Sequence, residues 1–171
     1  MIRQLLLLRH AKSAWDTQAA TDFVRPLNKR GEKDARHMGH WLRQQALIPD
    51  YVASSPAERA RQTALKVCKE LGLAKDRLQW DPRIYEATPE QLLEVLADCP
   101  ETARTVLLVG HNPGLELLLR YLCPSVPVPA DGKLLPTATV AHLQLPADWH
   151  RLDPGVARLL AITRPTSLPK A

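Results

Sequence analysis

Apolar runs of strand length that alternate along the chain with stretches of helical period predict an α/β fold, a single three-layer α/β/α domain over residues 1–171 with a mainly parallel central sheet. Two further observations point the same way. The segments "LLLL" (5–8) and "VLLV" (106–109) are apolar throughout instead of alternating, as strands covered on both faces are. No internal repeat and no linker divides the chain, and 171 residues are enough for one sizeable core.

The first element is the strand "RQLLLLR" (3–9), followed by a polar, turn-rich stretch to about Pro26. A helix is predicted from Leu27 to Ala46: Asn28 can cap it, and Ala35, Met38, Gly39, Leu42 and Ala46 fall on one face before Pro49 stops it. "DYVASSP" reads as a second short strand ending in serines. Pro56 suits the first turn of the next helix, which runs to about Leu71 and closes on Gly72. "LQWDPRIYEA" offers a short strand and a loop. Thr88 then caps a helix in "TPEQLLEVLADC", with Pro89 at its first position and Glu90 and Glu94 nearby. In "TVLLVGHNPG" a β-branched strand stops at Gly110, and His111 stands where the chain turns into the helix "GLELLLRYL". Residues 124–138, with four prolines and a glycine, form a loop, while "TVAHLQL" and "ARLLAITR" supply the last strands.

Composition narrows the function classes. The chain is 45% hydrophobic and 24% charged, and no segment approaches the ~20 apolar residues that a membrane crossing needs. Met1-Ile2-Arg3-Gln4 leads to only four leucines and then more charge, without a small-residue cleavage site, so a cytoplasmic protein is expected. Cys68, Cys99 and Cys123 are widely spaced in or beside apolar segments and read as buried or free thiols, with no zinc-type cluster. A net charge of +5 favours anionic partners. Scattered basic residues, 5% aromatics and the absence of any base-reading signature argue against nucleic acid.

In a parallel sheet covered on both faces, sites lie outside the carboxyl ends of the strands. Arg9-His10, Ser54-Ser55 with nearby Arg59, and His111 each stand at or just beyond such an end. Neighbouring strands would bring them into one crevice. His37, His40, His142 and His150 end no buried run and carry no such expectation.

These segments carry a resemblance. "LLLLRHAKSAWD" resembles the R-H-G/A opening motif of the histidine phosphatase superfamily, which also contains the phosphoglycerate mutases. "SSPAERARQTA" is similar to its second arginine motif, and "VLLVGHNPG" to its second-histidine motif. With "DFVRPLNKRG" and its compact length, the chain looks most like the small branch of SixA-like phosphohistidine phosphatases, over roughly residues 3–145. The resemblance implies a phosphoglycerate mutase-like fold, with His10 as the nucleophile that forms a phosphohistidine intermediate, and His111 as part of the phosphate pocket.

The chemistry suits those residue types. A neutral imidazole can attack phosphorus in line, and fixed cationic donors such as Arg9 and Arg59 stabilise the charge spread over the transferring oxygens. No P-loop and no evident carboxylate pair for metal is present, so activity without added metal or other cofactor is expected. Arg25 in "VRPL" either reaches the phosphate or substrate or is a solvated loop arginine. Ser13 matches a serine common in the wider family. Asp16 stands where many members have asparagine and is expected to point away, while Lys12 replaces an acidic residue and makes the mouth more basic. Glu86, in "IYEAT", is the candidate general acid by position, against a plain solvent-facing glutamate.

A phosphohistidine substrate relaxes the need for an acid, and the lack of a long insertion between His10 and His111 implies an open pocket. The expected partner is therefore a protein bearing phosphohistidine. Small phosphate esters are the alternative, a mutase is a remote variant, and a non-catalytic phosphate-binding module would have no use for an intact nucleophile.

Overall fold

The computed structural model describes residues 2–146 and 148–170; Met1, Ala147 and Ala171 lie outside the described residues. Strand β1 (Arg3–Arg9) leads through a short 3-10 turn (Asp22–Val24) to helix α1 (Lys29–Gln44). Asn28 caps α1, its side-chain oxygen accepting from the Gly31 amide at 2.8 Å. The last helical residue is Gln44, and the chain closes the helix at Ala46, where its end was expected, ahead of Pro49. Leu47 N–H donates to the Leu42 carbonyl at 2.9 Å and Ala46 N–H to that of Arg43 at 3.0 Å, a Schellman closure with Ala46 in the left-handed region (φ +57°).

Strand β2 (Tyr51–Ser54) is followed by α2 (Glu58–Leu71). Pro56 lies before the Ala57 cap and not in the first turn as expected, because the Ser55 amide is still tied to the Val109 carbonyl at 3.0 Å and the helix starts only beyond it. Gly72, at φ +73°, ends α2 as expected. Then come β3 (Leu78–Trp80) and α3 (Pro89–Ala97), whose Thr88 cap is completed by Gln91 in a reciprocal capping box. Strand β4 (Thr105–Gly110), α4 (Gly114–Leu122), β5 (Val140–Leu145) and β6 (Arg158–Thr163) complete the chain.

The six strands lie in the order β3-β2-β4-β1-β5-β6. Strands β1 to β4 are parallel, and β5 alone runs against the rest, since β6 is antiparallel to it. Pleating sends Leu5 and Leu7 of β1 and Val106 and Leu108 of β4 to a core shared with α3 and α4. Leu6, Leu8, Leu107 and Val109 meet α1 and α2 on the other face. Both central strands are thus buried on two sides, which is why their sequences do not alternate.

The register places Arg9 opposite Gly110 and Ser54 opposite Val109, so β1, β4 and β2 release their carboxyl ends side by side. Helix α1 abuts the segment after β1: Asn28 N–H donates to the Lys12 carbonyl at 3.0 Å, and a Cβ added at Gly31 would sit 2.0 Å from that oxygen. Only glycine allows this approach. The three cysteines are buried and free, and among the described residues no helix is long and apolar enough to cross a membrane.

Candidate active site

The three strand ends meet in an open pocket of about 370 Å³ lined by Arg9, His10, Ser13, Arg25, Arg59 and His111, with Lys12, Trp15, Asn112 and Thr137 at its margins. Six of the seven residues expected at the site are therefore together. Glu86 is not among them.

His10 directly follows β1 and is 7% exposed. Its Nδ1 lies 2.7 Å from the Ala11 carbonyl, which can only accept, so Nδ1 carries the proton and Nε2 keeps a free lone pair. Burial, helped by His111, Arg59 and Arg9, pushes its pKa down to about 3, so the ring is neutral at neutral pH. The His111 ring lies 5.1 Å away, centroid to centroid, and burial followed by the Arg59 charge lowers its pKa to about 4. His111 Nε2 is 2.8 Å from Ser55 Oγ, which already accepts from the Ala57 amide at 3.2 Å. A Ser55 hydroxyl that donates to Nε2 leaves the His111 proton on Nδ1, an atom that is buried without a partner among the described residues.

Three guanidinium groups surround the imidazoles. Arg9 donates to the Leu135 carbonyl at 3.1 Å. Arg59 donates to the Asp22 carbonyl at 2.9 Å and to its Oδ2 at 3.0 Å. Arg25 is buried, not solvated: it donates to Ser13 Oγ and to Asp22 Oδ1, and its guanidinium stacks 3.8 Å from the Trp15 ring centre. The Nε atoms of all three arginines are buried and unpartnered. This is a concentration of positive, hydrogen-bonding groups with spare donors.

Asp22 was not legible from the sequence as a site residue. Its carboxylate joins Arg25 and Arg59 and accepts from Tyr85 Oη at 2.8 Å. These contacts, Tyr85 foremost, hold its pKa down at about 2. The available signal was its place three residues before Arg25 in "DFVR", which the short turn brings face to face. Trp15, Tyr85 and Ser55 also join the site, Tyr85 by packing its ring edge-on at 5.5 Å from His111.

The remaining positions separate clearly. Glu86, the expected general acid, adopts a left-handed backbone (φ +54°), is exposed, and lies by the Tyr85 hydroxyl, whose pKa it helps to raise, beside the pocket lining instead of in it. Asp16 is exposed and outside the lining, as expected. Lys12 is exposed at the mouth. The end of loop 124–138 forms a wall, with the Leu135 carbonyl holding both Arg9 and, at 2.9 Å, the Asn112 amide.

Comparison with known proteins agrees with this geometry. Residues 5–89 match the model of the histidine phosphatase superfamily (branch 1). The chain is 31% identical to the phosphohistidine phosphatase SixA of Escherichia coli K12 over 153 residues, covering 83% of this chain and 85% of that one. It is 32% identical to an uncharacterized protein of Mycobacterium tuberculosis H37Rv over 163 residues, 92% of this chain and 99% of that one. Among solved structures, a protein from Nakamurella multipartitia given the SixA name superposes with a TM-score of 0.85 at 28% identity, covering 98% of each chain. The protein histidine phosphatase SixA complexed with tungstate gives 0.80 at 27%, over 95% of this chain and 97% of that one. Motifs, fold and relatives agree, and the chain belongs to the histidine phosphatase superfamily as a phosphatase of the hydrolase class.

Proposed function

We propose that this protein removes phosphate from phosphohistidine on a protein, with His10 as nucleophile. The reading is carried by one observation: the pocket is lined by Arg9, Arg25, Arg59 and Lys12 with two histidines, and by no carboxyl group. Cleaving an ester P–O bond leaves an alkoxide that calls for a carboxylic acid. Asp22 is ionised between two arginines and Glu86 stands outside. A phosphohistidine needs no such donor, because its imidazole leaves neutral once its other nitrogen carries a proton.

In the first step His10 Nε2 attacks phosphorus in line as the P–N bond to the substrate breaks, and the departing imidazole keeps the bonding pair. The Nδ1–H bond to Ala11 holds the attacking tautomer. Arg9, Arg25, Arg59 and the His111 Nδ1–H supply donors to the phosphoryl oxygens and stabilise the charge they carry in transfer. Water then attacks the phosphoenzyme: a P–O bond forms, the P–Nε2 bond breaks, phosphate leaves with loss of a proton to solvent, and His10 is neutral again. The tungstate bound by the SixA relative is a tetrahedral oxyanion, in keeping with a pocket of this charge. Lined by cations, the pocket repels a divalent metal, so turnover is expected to persist in EDTA.

The test compares phosphate release, with EDTA present, from a histidine-phosphorylated protein domain and from a panel of small phosphate esters, for wild type and His10→Ala. A higher kcat/KM on the phosphoprotein, abolished in the variant, supports the reading. A small ester as the better substrate refutes it.

A further inference from the structure

The phosphate pocket does not end at Lys12 and Thr137. Both residues also line a second cleft of about 260 Å³, between the first turns of α1 and the loop around Lys133. That cleft shares Arg30, Asp34, Pro165 and Thr166 with a wider groove of about 800 Å³ between the outer side of α1 and residues 165–170. The floor is fixed, since Leu168 is buried in the α1–α2 core and His37 lies 2.6 Å from the Pro169 carbonyl. Shared walls thus link the three cavities in series, the widest having no lining residue in common with the phosphate pocket, and together they make up a trough beside the site.

Its charge is one-sided. Seven lysines and arginines line the two outer cavities against three carboxylates, an excess of four where the whole chain carries +5. Asp34 and Asp131 are already engaged by Arg30 at 3.2 Å and Arg164 at 2.6 Å. Lys12, Lys33, Arg36, Lys133 and Lys170 are exposed and have no ion-pair partner among the described residues.

We infer that this trough docks an acidic face of the phosphoprotein, flanking the phosphohistidine that enters the pocket. The inference rests on the phosphohistidine reading above. Charge complementarity selects the occupant: unpaired cations spread along a cleft steer and orient a negative protein surface. Two features disfavour a nucleic acid. No Phe, Tyr or Trp lines either outer cavity, leaving only the small rings of His37 and His40 for bases to stack on, and the three interspersed carboxylates suit a mixed protein surface better than a continuous phosphate backbone.

The test uses Lys33→Glu/Arg36→Glu, two exposed positions on α1 outside the phosphate pocket, with Lys33→Gln/Arg36→Gln as the milder pair. Kinetics are measured on a histidine-phosphorylated acidic domain and on free phosphohistidine. Binding is measured for a fluorescent polyglutamate peptide and a DNA duplex of matched charge. The charge reversal is expected to lower kcat/KM on the phosphoprotein about tenfold or more at low ionic strength, mainly through KM, and the effect should fade near 0.5 M salt. Free phosphohistidine should be turned over as by wild type, and the peptide should bind wild type better than the duplex does. Equal losses on both substrates, no loss on either, tighter binding of the duplex, or no binding of the peptide would each overturn the inference. Wild type failing on the phosphoprotein while still binding the peptide through Lys33 and Arg36 would instead remove the phosphohistidine reading and leave an acidic-protein site.

Discussion

Acidification tests the burial of the catalytic histidine. At pH 7 His10 and His111 are neutral in the folded protein, with pKa values of about 3 and 4, and mostly neutral in the unfolded chain, where an imidazole titrates near 6.5. As the pH falls below 6.5 the unfolded chain takes up protons that the folded protein refuses, so stability is lost on the acid side. Between pH 7 and pH 5 each ring contributes a loss of about 1.9 kcal/mol, and the pair nearly 4, a large share of the 5–15 kcal/mol typical of a domain. The figure is robust, because a folded pKa of about 4 instead of 3 for His10 changes it by less than ~0.1 kcal/mol at pH 5.

Other groups also titrate there: burial lowers His142, and the Glu101 carboxylate raises His150. The comparison is therefore between wild type and His10→Gln, each unfolded in urea at both pH values. The wild type should lose about 2 kcal/mol more than the variant, a midpoint shift of roughly 1 M at the usual urea dependence. If the difference between the two proteins is the same at pH 5 as at pH 7, His10 is not a buried neutral base, and the reasoning about its tautomer and nucleophilicity fails with it.

Four further outcomes are expected. His10→Ala should show neither turnover nor a covalent phosphoenzyme trapped by acid quench; near-normal rates would end the proposed mechanism. Arg59→Ala removes a preorganised donor and should lower kcat on the order of 10²–10³-fold, read by steady-state kinetics. Glu86→Gln should change phosphohistidine turnover by less than about twofold; a loss comparable to that of Arg59→Ala would return Glu86 to the chemistry. Gly31→Ala drives a methyl group into the Lys12 carbonyl, so α1 must shift. That overpacking should cost about 1–3 kcal/mol in thermal or urea unfolding and reduce kcat as well, since Lys12 belongs to the segment that carries His10.

Much of this was readable in advance because the signals are local. Runs such as 5–8 and 106–109 declare strands buried on both sides, Asn28, Thr88 and Gly72 mark helix ends, and histidines directly after two such strands announce a site at their carboxyl ends. The apolar period carried α1 to Ala46, where the helix does close, but the manner of closure was not readable, because a Schellman turn on Ala46 uses a residue with no preference for that backbone. The place of Asp22 beside Arg25 and Arg59 was hidden for a similar reason. A carboxylate's role depends on what faces it, and two acids in loops look alike until the chain is folded.

Local signals in the chain establish the strand and helix order, the two histidine-bearing strand ends, and an excess of positive charge. Tertiary structure decided the rest: that β1, β4 and β2 are neighbours, that Arg25 is buried beside Ser13, that Asp22 meets Arg59 across 37 residues, and that scattered basic residues line one trough. The division follows from range. Backbone preference and hydrophobic period act over a few residues, while desolvation, ion pairing and pKa depend on groups that only the closed sheet and its covering helices bring together.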